Sequence, residues 1–355
     1  MNLRKTLVFI AASAMLAVSC TPKPGTRWSV EKAQAWYAEH DWLVGCDYIP
    51  ASAINQIEMW SADTYDRDRI VTELAAAQEL GFNTLRVFLS SVVWQNDPEG
   101  FKSRVDDFLS ICEEYGIKPL LVFLDDCWNN ESEYGLQPVP VQGRHNSGWV
   151  QDPSCARRAD TTTLYPQLHA YVKDVMGTFK DDSRILLWDL YNEPGNTHHE
   201  VDAVPMLRHM FEWGREVNPS QPLTVGVWTD KADELNRMSL EESDIISYHS
   251  YSKPDTHEAL IKHLRMHNRP LICTEYMART HGSTFQSILP LLKKFNVGAV
   301  NWGFVDGKTN TKYSWEKEIP SGEEPELWFH DILRSDLTPY SQEEVDFIRE
   351  ITARK

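Results

Sequence analysis

The chain is short of positive charge: 35 Lys and Arg stand against 52 Asp and Glu, for a formal net charge of −17. So acidic a balance does not attract nucleic-acid phosphates, and it disfavours strongly anionic ligands for the same reason. Long apolar runs are missing after residue 20, so the rest of the chain has no segment of membrane-spanning length. No glycine-rich turn follows the first strand-like run, which leads into DYIPASAINQ. The phosphate turn of an open, doubly wound nucleotide-binding sheet is therefore absent. Cysteine is scarce, and the five beyond Cys20 (Cys46, Cys112, Cys127, Cys155 and Cys273) are odd in number and lack zinc-site spacing. Tryptophan, by contrast, is abundant, with 13 residues. Its flat apolar face and single polar edge suit stacking on ligand rings as well as core packing.

The first twenty residues are a separate device. Arg4 and Lys5 precede a nearly continuous apolar stretch from Leu7 to Val18, too short for a mature membrane helix and readable as a secretion signal. Its end, Ala17-Val18-Ser19-Cys20, resembles a bacterial lipoprotein box. That resemblance implies cleavage before Cys20, lipid attachment to its sulfur, and a periplasmic or cell-surface location in which only the lipid touches the membrane. Residues 21–28 (TPKPGTRW) are polar and proline-containing and are expected to form a tether. Cys46, Cys112 and Cys273 lie in apolar patterns and read as buried thiols. Cys127 and Cys155 flank one long loop, and in an oxidising compartment they are either a disulfide or two free thiols.

From residue 29 to 355 two signals alternate, with no domain boundary between them. Short runs rich in β-branched and aromatic residues occur at 43–48, 84–89, 119–124, 185–191, 223–228, 245–251, 271–276 and 299–305. Most are continuously apolar, as strands buried on both faces of a parallel sheet are. Between them lie helical stripes, such as Ile70, Val71, Leu74 and Ala77, or Val105, Phe108, Leu109 and Cys112. Gly81 and Gly116 end those two. Eight such βα units predict a single-domain (β/α)8 TIM barrel. Two connections, 125–163 and 306–330, exceed what a helix needs, and both leave the carboxyl ends of strands, where this fold builds its sites.

Two glutamates sit at such ends. Glu193 lies in LLWDLYNEPGN at the end of the fourth run; Pro194 cannot continue a ladder and is expected to hold Glu193 extended. Glu275 lies in LICTEYM at the end of the seventh. A buried carboxylate is costly, so an apolar strand that delivers one to the barrel rim calls for a reason. Two on one face are the equipment for glycoside hydrolysis.

WDLYNEP, then TEY, then NWGF, over residues 41–355, resembles clan A glycoside hydrolases, in particular the cellulase-like barrels of glycoside hydrolase family 5. The resemblance implies that Glu193 is the general acid/base, Glu275 the nucleophile, and that Asn192 bonds the sugar 2-hydroxyl. It further implies that Arg86 lies near the nucleophile, that His249 and Tyr251 form the family's His-x-Tyr with the tyrosine hydroxyl on the nucleophile, and that Trp302 is the stacking platform. Many relatives carry a histidine near the end of strand three; here Asp125, Asp126 and Trp128 stand in that region. The two aspartates either bind sugar hydroxyls or cap a helix. His198 and His199 read as surface residues.

The implied reaction is retaining double displacement on a β-linked glucan, mannan or xylan, or on oligosaccharides from one, by a monomer without metal or cofactor. It calls for carboxyl groups about 5–5.5 Å apart and a raised pKa at Glu193. Two rivals differ in class. A metal-dependent hydrolase on this barrel would carry His-x-His on the first strand, which reads VGCDY. A carbohydrate-binding barrel without activity would keep the aromatic residues and lose a glutamate, and both are present. Endo or exo action rests on the path of the two long loops.

Overall fold

The computed structural model describes residues 25–353. Cys20 and the leader, residues 1–20, lie outside them, as do the first four residues of the expected tether.

All eight expected strands are present: β1 (Val44–Asp47), β2 (Thr84–Phe88), β3 (Lys118–Asp125), β4 (Leu187–Asn192), β5 (Leu223–Thr224), β6 (Ile246–His249), β7 (Leu271–Glu275) and β8 (Gly298–Asn301). They pair in parallel in the order β5-β4-β3-β2-β1-β8-β7-β6, with helices between them. The seam between β5 and β6 carries one isolated bridge, Val227 to Tyr248, so the barrel is nearly closed. This is the (β/α)8 barrel expected. Among the described residues no helix is long and apolar enough to cross a membrane.

Local chemistry starts the helices. Asp66 caps Arg67–Glu79, and Asp97 caps Pro98–Glu114 with Pro98 in the first turn, where its missing N–H costs nothing. Their apolar stripes pack on the outer faces of the strands. The inner faces are layered. Leu120, Leu187, Ile272 and Val300 fill the lower barrel, and the helix Val30–Ala38 covers them with Ala33 and Tyr37. Strand periodicity then matters: in β2 Leu85 and Val87 face the helices, so Arg86 points into the barrel. Residues 25–28 belong to the folded body rather than to a free tether. Trp28 is buried, its N–H donates to Asp244 Oδ1 at 2.7 Å, and Arg27 bonds the carbonyls of Leu240 and Ser243.

Candidate active site

Above the apolar layer the barrel becomes ionic. The Arg86 guanidinium is fully buried and donates to Asp189 Oδ2 at 2.9 Å, Asp47 Oδ1 at 2.9 Å, Glu275 Oε1 at 3.0 Å and Asn192 Oδ1 at 2.7 Å. One cation thus serves three carboxylates. Burial pushes Asp47 and Asp189 upward despite the arginine. Arg86 sets the position of Glu275 and Asn192, because unpaired charge this deep is far costlier than paired charge.

Glu275 is the last residue of β7. Its other oxygen, Oε2, accepts from the Tyr251 hydroxyl at 2.7 Å and lies 3.5 Å from His249 Nδ1. Burial raises the Glu275 carboxyl; His249 and Arg86 pull it down, the Glu193 charge pushes it up, and the net direction is up.

Glu193 leaves β4 differently from the extended conformation expected. Its φ is +44°, in the left-handed region, where an ordinary residue costs about 1–3 kcal/mol and persists only when its surroundings impose it. The sequence accounts for part of this. Glu193-Pro194-Gly195-Asn196 closes a turn in which the Asn196 N–H donates to the Glu193 carbonyl at 3.0 Å, with proline second and glycine third at φ 87°, ψ −1°, the geometry of a type II turn. Asp126 clamps the turn from β3. It accepts from Gly195 N at 2.8 Å and from the Tyr191 hydroxyl at 2.7 Å, and it pairs with Arg158.

The Glu193 carboxylate meets three side chains. His249 Nδ1 is 2.7 Å from Oε1; Asn196 Nδ2 donates to Oε2 at 2.5 Å; and Cys127 Sγ lies 3.2 Å from Oε2. Burial pushes this carboxyl up, but the bond and charge of His249, with those from Cys127 and Asn196, overcome it, and the net direction is down. The expectation of a raised Glu193 is thus reversed in the free protein, because the imidazole lies closer to Glu193 than to Glu275.

The remaining expected residues divide. Trp302 lines the cleft, its ring held edge-on by Phe88 at 5.9 Å and Trp149 at 5.5 Å. Trp128 lines it too and is 37% exposed. Asn192 lines it with a fixed amide, whose Nδ2 donates to Asp125 Oδ1 at 2.9 Å. Asp125 and Asp126, offered as sugar ligands or caps, cap no described helix and do not line the cleft. Both are buried beneath the cleft; Asp125 also accepts from Trp149 Nε1 at 2.7 Å, and burial raises it to about 7. His199 is buried against Gln151 and Cys155 rather than on the surface. The side chain of His198 lies outside the description.

Cys127 and Cys155 are free thiols, and Cys46, Cys112 and Cys273 are buried as expected. Cys155 sits on His199 Nε2, and Cys127 is in the site itself, so the disulfide reading fails. Burial and the neighbouring Glu193 charge push the Cys127 thiol well up, which keeps it protonated and able to donate. Cys127 and Asn196 are the functional residues that the sequence argument missed. Their signals were position alone: two residues beyond the strand-three aspartate, and the fourth residue of the Glu-Pro-Gly-Asn turn.

Glu193, His249 and Glu275 have ligand atoms all within 4.8 Å of one another, the one group among the described residues compact enough to hold a metal. Two carboxyl groups this close, one on an imidazole and a thiol, the other on a guanidinium and a phenol, can offer a proton donor and a nucleophile to one reacting centre.

Comparison with known families decides the affiliation. The model of the cellulase family, glycosyl hydrolase family 5, matches residues 49–308. The chain belongs to glycosyl hydrolase family 5. This family 5 chain is a glycoside hydrolase in fold and lineage, as the WDLYNEP, TEY and NWGF segments implied. No curated protein sequence matches it. Among solved structures it is similar to a GH5_18 protein from Streptomyces cattleya in complex with GlcNAc (14% identity, 87% of this chain and 79% of that one, TM-score 0.60). It is also similar to an exo-β-1,4-mannosidase from Opitutaceae bacterium strain TAV5 (17%, 88% and 59%, TM-score 0.60) and to an endo-β-1,4-mannanase from Thermotoga petrophila (14%, 89% and 77%, TM-score 0.56). At these identities the likeness establishes the fold.

Proposed function

We propose that this family 5 protein is a retaining hydrolase of β-linked glycosides, with Glu275 as nucleophile, Glu193 as acid/base and β-mannosides as its first substrate class. The observation that carries the mechanism is the approach of Glu193 and Glu275 oxygens to within 4.8 Å. That supports a shared anomeric carbon and fits the shorter carboxyl separation of retaining pairs better than the wider one of inverting pairs. The mannoside preference is supported by the structural neighbours, whose names include a mannosidase, a mannanase and a complex with Manb1-4GlcNAc.

Glu275 attacks the anomeric carbon while Glu193 gives its proton to the departing oxygen. A covalent glycosyl-enzyme and a free alcohol result. Glu193, now ionised, takes a proton from water, whose oxygen displaces Glu275 from the anomeric carbon. His249 Nδ1, 2.7 Å from Glu193 Oε1, stands where it can share a proton with that carboxyl. Tyr251 and Arg86 hold the attacking carboxylate in line. Trp302 offers an aromatic face beside Asn192 and Glu275.

The test is a panel of aryl β-mannoside, β-glucoside and β-xyloside with Glu275→Ala as control, and NMR of the first-formed sugar. Turnover that is lost in the variant, with the β anomer appearing first, is expected. Equal turnover by the variant removes Glu275 from its role, and an α anomer formed first removes retention. If no glycoside is cleaved at all, the carbohydrate-binding reading replaces the enzyme. We also infer anchoring of the chain to a bacterial membrane through Cys20. Cys20→Ser is expected to move the protein from the membrane to the soluble fraction, and unchanged partition would end that inference.

A further inference from the structure

The cleft has two unlike ends. Toward Glu275 it is walled. The segments after β3 and β8 meet along a seam: Ile319 N–H donates to the Gly143 carbonyl at 2.9 Å, Asn146 N–H to the Thr309 carbonyl at 2.8 Å, and Asn310 Nδ2 to the Val141 carbonyl at 3.0 Å. The segment after β1 joins them, with Asn55 Nδ2 on the Gly148 carbonyl at 2.9 Å and Gln56 Nε2 on the Val150 carbonyl at 2.7 Å. On the inner side of this seam runs an unbroken series of rings. Tyr251, bonded to the nucleophile candidate Glu275, packs on Trp315 at 4.9 Å between centroids; Trp315 packs on His145 at 5.6 Å, and His145 on Trp128 at 5.1 Å. The wall thus begins one ring away from the group that would attack.

Past Glu193 the cleft stays open. It measures about 1100 Å³ and continues over Trp228, Asp230 and Asn236 toward Leu240 and Leu260. The reason is topological: β5 is two residues long, and among the described residues its side of the barrel meets β6 through the isolated Val227–Tyr248 bridge and Thr224 side-chain bonds rather than a ladder.

Charge assigns the two ends. The sugar that stays on the enzyme lies where Glu275 reaches its anomeric carbon. The group that departs lies beyond the oxygen that Glu193 protonates. The walled end therefore receives the glycone and the open end the leaving group. We propose, on the hydrolase reading above, that the site is exo-acting: it takes a single non-reducing terminal sugar into the walled end and leads the rest of a β-linked oligosaccharide out past Trp228. A chain continuing beyond that sugar at its non-reducing end would run into Trp315 and His145.

The experiment follows products from reducing-end-labelled β-1,4-mannotetraose and cellotetraose with the full protein, beside an aryl β-glycoside as control. Free monosaccharide and labelled products shortened one sugar at a time are expected. Capping the non-reducing terminal sugar at its 4-hydroxyl should abolish cleavage of the tetrasaccharide, and Trp315→Ala should raise the ratio of disaccharide to monosaccharide among the first products. Early release of di- or trisaccharide by the unaltered protein, or undiminished cleavage of the capped substrate, overturns exo action and leaves the hydrolase reading standing. Absence of turnover on the aryl glycosides as well as the oligosaccharides takes down both.

Discussion

The ends of β4 and β7 each deliver a glutamate to the same cleft, yet they hold it in opposite ways. At β7 the carboxylate is the last residue of the strand, bonded by a guanidinium and a phenol, with the His249 imidazole 3.5 Å away. At β4 it sits past the strand, in a turn with a left-handed backbone, against an imidazole, an amide and a thiol. The first environment fixes the position of a carboxylate. The second sets a carboxylate beside an imidazole with which it can share a proton, which the proposed role of acid and then base requires. Two chemically identical side chains are shifted in opposite directions by their partners, as perturbed carboxylate pairs elsewhere are.

The comparison breaks most visibly at Glu275. Glu275→Ala should lower kcat by at least about 10⁴-fold on every substrate, since no other group replaces a nucleophile. Glu193→Ala should differ in pattern. The loss should be about 10²–10⁴-fold on substrates with poor leaving groups, and far smaller on dinitrophenyl glycosides, whose leaving oxygen needs no proton. Equal losses on both substrates would mean that Glu193 is not the acid. Arg86→Met tests the fixed side of the contrast. It strands Asp47, Asp189 and Glu275 without their cation and should cost about 3–5 kcal/mol of stability in urea unfolding.

His249→Gln tests the exchanging side through pH. His249 lowers both Glu193 and Glu275. Without it both pKa values rise: the protonated acid survives to higher pH, and the nucleophile ionises only at higher pH. Both limbs of the kcat/KM profile should therefore move upward, and a profile that stays in place would exclude His249 as the tuning group. Cys127→Ala should give the smallest change. One weak bond to Glu193 is lost, worth about 0.5–1.5 kcal/mol, so kcat should fall by no more than about tenfold, with a slight upward shift of the alkaline limb.

Much of this was legible in advance. The eight strands were found because buried parallel strands are continuous apolar runs, and the stripes between them keep helical period. Glu193 and Glu275 were found because an acidic group at the end of such a run needs a reason, whereas Asn192, His249, Tyr251 and Trp302 followed from the family resemblance. What was missed has a common cause. Cys127 was taken for a disulfide candidate, and Asp125 and Asp126 for sugar ligands or caps, because their partners Glu193, Asn192, Trp149, Arg158 and Gly195 lie on other elements. Pro194 suggested an extended Glu193, but the Pro-Gly turn and the Asp126 clamp decide the backbone there.

By itself the amino-acid order determined the periodicities, hence the barrel, and which strand ends carry acidic side chains, because these depend on neighbours along the chain. Only the tertiary structure decided which carboxyl is lowered and which raised, and that three loops seal one end of the cleft while the short β5 leaves the other open. Those outcomes rest on distances between residues remote in sequence, and electrostatic energy and steric closure depend on such distances and not on order along the chain.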